Sequence, residues 1–220
     1  MMSDIASRIQ EIKSALPQGV ELTAVSKFHP SEAVMEAYAA GQRVFGESRA
    51  QELQEKAAAL PTDIEWHFIG HLQTNKVKQV VAVADMIQSI DSLRLLRAVS
   101  DAAVKAGRRV DVLLQVHVAR EETKTGFLPD EMEQAAREAL TMPGVRLRGV
   151  MGMASNTDDE TRVRADFKAI RGSFDALRHG VAAGQPQFDT VSMGMSHDRA
   201  VAIEEGSTMV RIGSDIFGER

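Results

Sequence analysis

The chain has 220 residues, 44% hydrophobic and 26% charged, with 31 acidic against 26 basic residues for a net charge of −5. A chain of this size buries roughly 70% of the surface its unfolded form exposes, so one domain spanning 1–220 is expected to fold without disulfides or a structural metal. The lack of cysteine excludes thiolate metal sites, iron–sulfur clusters and cysteine nucleophiles and points to a reducing, cytoplasmic setting. No signal-peptide pattern, no 18-residue apolar run and no block of five like charges is present, which argues against export, membrane and nucleic-acid roles and leaves small molecules as partners.

Ile5, Ile9, Ile12 and Leu16 have helical spacing and stop at Pro17-Gln18-Gly19. A strand at 21–27 follows, then a helix opened by Pro30 that carries Val34 and Tyr38 and ends at Gly41. The alternation continues with a strand at 43–47 and a helix near 48–60, a strand at 65–70 and a helix near 74–83, and a strand at 86–91 with a helix to Gly107. A long apolar strand at 110–118 precedes a helix near 129–142. A strand at 147–153 then precedes a helix with Val163, Phe167, Ile170, Phe174 and Leu177 on one stripe. Strands at 190–194 and 209–213 close the pattern, with a short helix near 198–206 between them.

Eight strands alternating with helices predict an α/β fold, a closed (β/α)₈ barrel, rather than a doubly wound open sheet of five or six strands. Only seven helices lie between eight strands, with no room for an eighth after the last. The leading helix is expected to take the vacant place on the outer ring.

In such a barrel the chemistry belongs at the carboxyl ends of the strands. Lys27 closes the first strand, where partial desolvation would make its amine nucleophilic toward carbonyls; a solvated or salt-bridged lysine is the plain alternative. Gly194–Ser196 and Gly213-Ser214 follow the last two strands, the usual phosphate-binding loops of this fold. Arg211 points either to solvent or into the barrel, where it needs a partner. Met151, Met153, Met193 and Met195 read as gap-filling core. His67, His71 and His117 lack the spacing and acidic companions of a zinc site, and no nucleophile elbow, Walker loop or dinucleotide turn is present.

Several segments carry a resemblance: Ala24-Val-Ser-Lys27 with Pro30, Phe45-Gly-Glu-Ser-Arg49 with Gln51-Glu52, and Trp66-His-Phe-Ile-Gly70 with Leu72-Gln73 and Asn75-Lys76. Ser192-Met-Gly-Met-Ser196 with Asp198 and Val210-Arg-Ile-Gly213 with Ile216-Phe-Gly218 continue it. Together they resemble the pyridoxal phosphate homeostasis proteins over nearly the whole chain. The resemblance implies a barrel like the amino-terminal domain of alanine racemase, holding pyridoxal 5′-phosphate as an aldimine on Lys27. It also implies that Arg211 faces the pyridine nitrogen, that Ser196, Gly213 and Ser214 hold the phosphate, and that Asn75 lies near the ring. Two positions depart from the family pattern, Ser48 and His117, where asparagine is common.

Three functions compete: a cofactor-binding and delivery protein, a racemase-like enzyme, and a lysine aldolase acting on a sugar phosphate. An arginine opposite the ring nitrogen is itself protonated and cannot accept the proton that makes the ring a strong electron sink. Racemisation needs a second base, which in alanine racemase is a tyrosine brought by an added domain. The only tyrosine, Tyr38, falls in a helix expected outside the barrel, and the reading has the chain ending without that domain. No acidic partner for an aldolase lysine is visible near Lys27. The expectation is a monomeric protein that buffers pyridoxal phosphate or hands it to apoenzymes, without racemase turnover.

Overall fold

Eight strands pair in parallel and in chain order, and the last closes on the first. They are β1 (Glu21–Val25), β2 (Val44–Glu47), β3 (Glu65–Phe68), β4 (Met86–Ile90), β5 (Val110–Val116), β6 (Val145–Gly152), β7 (Thr190–Ser192) and β8 (Met209–Ile212). The computed structural model describes residues 4–118 and 125–218. Closure runs through β1 and β8, with Thr23 opposite Arg211 and Ala24 opposite Ile212. The expected barrel is therefore the observed one.

The helices around it are α1 (Asp4–Ala15), α2 (Ser31–Ala39), α3 (Ala50–Ala59), α4 (Val77–Val81), α5 (Leu93–Lys105), α6 (Met132–Thr141), α7 (Glu160–His179), α8 (Arg199–Glu204) and α9 (Ser214–Phe217). The leading helix α1 packs against α2 and α9, and Arg8 on it donates to the Ile216 carbonyl at 3.3 Å. The expectation that nothing helical follows the last strand is corrected by α9. That single turn is too short to show a 3.6-residue period. The helix expected near 74–83 is a 3-10 turn, Thr74–Lys76, running into the short α4.

Several strands stop before their expected ends. β1 ends at Val25 rather than Lys27 and β7 at Ser192 rather than Gly194. Hydrogen bonding to the neighbouring strands runs on past both ends: the Ser26 N–H donates to the Gly46 carbonyl at 3.1 Å, the Met193 N–H to the Met209 carbonyl at 3.1 Å and the Arg211 N–H to the Gly194 carbonyl at 2.9 Å.

Alternation along the strands splits the core in two. Outward residues such as Phe45, Trp66 and Phe68 join Val34, Leu53, Val80 and the α7 stripe in one large apolar cluster beneath the helices. Each such side chain contributes about 1.5–3 kcal/mol by burial. Met86, Leu113, Met151 and Met209 form a separate small cluster. Met151 and Met193 are buried, as the gap-filling reading expects. Met153 and Met195 are half-buried and line a cavity instead.

Candidate functional site

The mouth of the barrel at the carboxyl ends of the strands holds a cavity of about 600 Å³. Lys27 and His29 reach it from the loop after β1, Ser48 and Gly70 from the loops after β2 and β3, and Met153 from the end of β6. Met195, Ser196 and His197 reach it from the loop after β7, and Arg211, Gly213, Ser214 and Gly218 from β8 and the segment beyond it. A hollow of about 690 Å³ lies outside the barrel between α1 and α8, but strand ends converge only on the mouth, where this fold places its chemistry.

The backbone on both sides of Lys27 is pinned. Lys56, buried on α3, donates from Nζ to the Ser26 carbonyl at 2.7 Å, to Glu47 Oε1 at 2.7 Å and to Glu52 Oε1 at 2.8 Å. Ser26 Oγ donates to Glu47 Oε1 at 2.6 Å, and Glu52 Oε1 accepts the Phe28 backbone N–H at 2.6 Å. Phe28 has φ +67°, alone among the described non-glycine residues in the left-handed region, which costs of order 1–3 kcal/mol and persists only where its surroundings hold it. Burial pushes the Glu47 carboxyl upward, while the hydrogen bonds from Lys56 and Ser26 pull it down. Sequence reasoning missed this cluster and reported no acidic group near Lys27. The Glu52–Lys56 spacing on one helix face was its visible trace.

Arg211 settles the alternative left open by its position. It is 5% exposed and points inward, donating from NH1 to Ser192 Oγ at 2.6 Å and from NH2 to the Gly152 carbonyl at 3.0 Å. Burial lowers its pKa to about 10 against the opposing pull of Asp198, so it is a cation at neutral pH.

Ser214 Oγ, at the start of α9, donates to Ser196 Oγ at 3.1 Å, bringing the loops after β7 and β8 together. The β7 loop is shaped by Gly194, whose φ of +97° and lack of a side chain both matter, since a Cβ there would sit 2.6 Å from Ala202 Cβ. Asp198 Oδ1 accepts the Met195 N–H at 2.6 Å and holds the loop's return.

Five of the six residues expected to bind the cofactor, Lys27, Ser196, Arg211, Gly213 and Ser214, thus line one cavity. Asn75 does not join them. It is exposed and lines a neighbouring hollow with His71 and Asp91, where His71 Nδ1 lies 3.0 Å from Asp91 Oδ2. Ser48 is on the cavity wall, whereas His117 is not among the residues lining it. His29 and His197 are wall residues that sequence reasoning did not single out. Tyr38 sits on the outside, its hydroxyl donating to Asp63 Oδ1 at 2.7 Å. Among the described residues no cluster of histidine and acidic side chains suits a metal ion.

A family model described as alanine racemase, N-terminal domain, matches residues 2–220. The pyridoxal phosphate homeostasis protein of Aquifex aeolicus is 39% identical over 223 residues, covering 100% of this chain and 96% of that protein. Its Escherichia coli counterpart is 36% identical over 233 residues, with coverage of 100% and 98%. This chain belongs to the pyridoxal phosphate homeostasis protein family.

Solved structures agree. PipY of Synechococcus elongatus without PLP superposes with a TM-score of 0.92 at 38% identity, covering 97% of this chain and all of that one; the same protein with PLP bound gives 0.88 at 37% identity and the same coverage. Alanine racemase from E. faecalis, at 19% identity and TM-score 0.76, covers 99% of this chain and 58% of that one. It shares the fold.

Proposed function

We propose that this protein is a one-domain barrel that binds pyridoxal 5′-phosphate in the mouth cavity and holds it for release to other proteins. The observation that carries the reading is the convergence in one cavity of a pinned lysine, a buried arginine and a hydroxyl pair on two glycine-bearing loops. These residues fit the cofactor. Lys27 supplies a primary amine for its aldehyde, Arg211 a fixed cation for its ring nitrogen, and Ser196, Ser214 and the amides around Gly213 donors for its phosphate. When bound, the group supplies an aldehyde carbon with which an amine condenses reversibly, losing water.

The residues favour holding over turnover. Arg211 is charged and hydrogen-bonded on both terminal nitrogens, so it keeps the ring nitrogen opposite it unprotonated. The tyrosine hydroxyl is engaged outside the barrel. The lack of cysteine fits a reducing compartment, and on this reading the protein is cytoplasmic, a monomer that meets apoenzymes transiently. The test is an absorbance spectrum of purified protein with added cofactor. A visible band bleached by borohydride supports the proposal, and protein that stays colourless refutes it.

A further inference from the structure

Behind Arg211, which β8 contributes to the cavity, the barrel interior carries polar side chains that do not line it. Three strands contribute them: Glu65 and His67 from β3, Gln88 from β4 and Ser192 from β7. One hydrogen bond joins each to the next. Arg211 NH1 donates to Ser192 Oγ at 2.6 Å, and Ser192 Oγ donates to Gln88 Oε1 at 2.7 Å. Gln88 Nε2 and His67 Nδ1 are 2.8 Å apart, and His67 Nε2 and Glu65 Oε1 are 3.1 Å apart. Ser192, Gln88 and His67 are fully buried. The Glu65 side chain is 49% exposed at the opposite end of the barrel from the cavity.

The chemistry of the two ends allows a neutral His67 only one arrangement. Glu65 is held below the ordinary carboxylate range, chiefly by its hydrogen bond from His67, with Arg148 and Arg146 nearby. A carboxylate only accepts, so Nε2 carries the proton and Nδ1 presents its lone pair. Gln88 must then turn its NH₂ to Nδ1. The same NH₂ group lies 3.2 Å from Met209 Sδ, a second acceptor, so a flipped amide would face that sulfur with oxygen. With Gln88 Oε1 turned to Ser192, the serine hydroxyl donates and its lone pairs are left for Arg211. Every donor points the same way, from the cavity toward Glu65, and such a chain polarises cooperatively.

We propose that Glu65, His67, Gln88 and Ser192 are positioning residues for Arg211, a one-way hydrogen-bond chain through the barrel by which a carboxylate at one end fixes the guanidinium at the other. This rests on the reading that Arg211 grips bound pyridoxal phosphate, though the polarity of the chain stands without it. Filling the same space with apolar side chains would avoid burying four linked polar groups. What the polar chain supplies is direction: with NH1 held by Ser192 and NH2 by Gly152, the remaining guanidinium N–H groups are aimed rather than free to rotate.

The first arm of the test needs no cofactor. Nitrogen-15 NMR of the histidines in the apo protein is expected to show His67 with its proton on Nε2. In Glu65→Leu, a change at a half-exposed strand position, both tautomers should appear. A proton on Nδ1 in the parent overturns the polarity, and an unchanged tautomer in Glu65→Leu overturns the part of Glu65 in setting it. The second arm follows release of pyridoxal phosphate. Ser192→Ala should release it roughly 2- to 10-fold faster, because Arg211 loses its aim but keeps its own contact with the cofactor, and Glu65→Leu about 2-fold faster. In the Ser192→Ala background Glu65→Leu should add nothing, because the link is already cut. Gln88→Leu cuts the chain at another link and serves the same cycle should Ser192→Ala fold poorly. Release unchanged in Glu65→Leu, or effects that multiply independently, overturns the proposal. A parent that never binds the cofactor instead defeats the functional reading, and the tautomer measurement still judges the chain.

Discussion

Replacing Arg211 with methionine separates what the arginine does for the cofactor from what it does for the fold. The side chain is 5% exposed, and burial depresses its pKa to about 10, well below the ordinary guanidinium value. At about 1.4 kcal/mol per pH unit, that displacement costs the folded state about 3 kcal/mol. Two hydrogen bonds, to Ser192 Oγ and the Gly152 carbonyl, act against the cost at about 1.5–3 kcal/mol each because the donor is charged. The terms nearly cancel, so the apo protein carrying Arg211→Met should differ from the parent by less than about 3 kcal/mol in urea unfolding. The sign of the pH dependence follows from the depressed value. The cost of the charge is present at every pH below about 10 and is relieved only as pH rises beyond that, so the difference between variant and parent should be flat from about pH 6 to pH 9. The cofactor loses one charge-assisted contact, about 1.5–3 kcal/mol, or roughly 10- to 150-fold faster release. Transfer of pyridoxal phosphate to an excess of an apoenzyme trap measures that rate. Equal release from variant and parent would refute the placement of Arg211 against the ring. A collapse in apo stability would refute the near-cancellation.

Borohydride reduction followed by peptide mapping should place the pyridoxyl group on Lys27. Finding it on exposed Lys76, or on Lys124, which lies outside the described residues, would move the covalent site. The double variant Ser196→Ala/Ser214→Ala should lower the preference for pyridoxal phosphate over pyridoxal by about tenfold or more in equilibrium titration, since two hydroxyls that fit a dianion are lost; an unchanged preference removes their role. Lys56→Met, which leaves Glu47 buried without its partner, should cost about 3–5 kcal/mol by urea unfolding, and adding Glu47→Leu should restore most of it. No rescue would mean that Lys56 acts by packing alone. L-alanine incubated with the loaded protein in heavy water should show slow alpha-deuterium uptake with retention, or none. Racemisation at around 1–10³ per second would show that a second base acts.

The barrel was legible because its signal is local and repeated. Each strand is a short run with apolar residues on its helix-facing side, and the longer helices show a stripe, as Val163 to Leu177 does on α7. The elements that escaped, α9 and the 3-10 turn at Thr74–Lys76, are single turns with no period to detect. The ends of β1 and β7 were placed late because hydrogen bonding to the neighbouring strand outlasts the regular ladder: the Ser26 N–H still reaches the Gly46 carbonyl and the Met193 N–H the Met209 carbonyl, and both residues are buried.

The site was legible where polar residues follow a strand directly, as Lys27, Ser196, Gly213 and Ser214 do, and hidden where contact depends on closure. Ser192 and Gln88 are 104 residues apart in sequence and meet because β4 and β7 face each other across the barrel, a pairing no local pattern encodes. Asn75 shows the converse. It follows β3 as the others follow their strands, but Gly70 lets the chain pass close to Ser48, where a Cβ would lie 2.3 Å from the Ser48 carbonyl, and the next residues lead into the hollow beside Asp91. The same geometry reassigns the histidines. His71 and His117, which the sequence sets near strand ends, do not line the cavity, whose wall carries His29 and His197. The His29 ring is stacked on Phe217 at 5.0 Å and 27°, and His197 Nε2 lies 3.5 Å from Asp198 Oδ2. Both stand on loops at the rim and are already engaged there, whereas Arg211 enters the cavity from inside the barrel. The arrangement suits grip more than proton transfer.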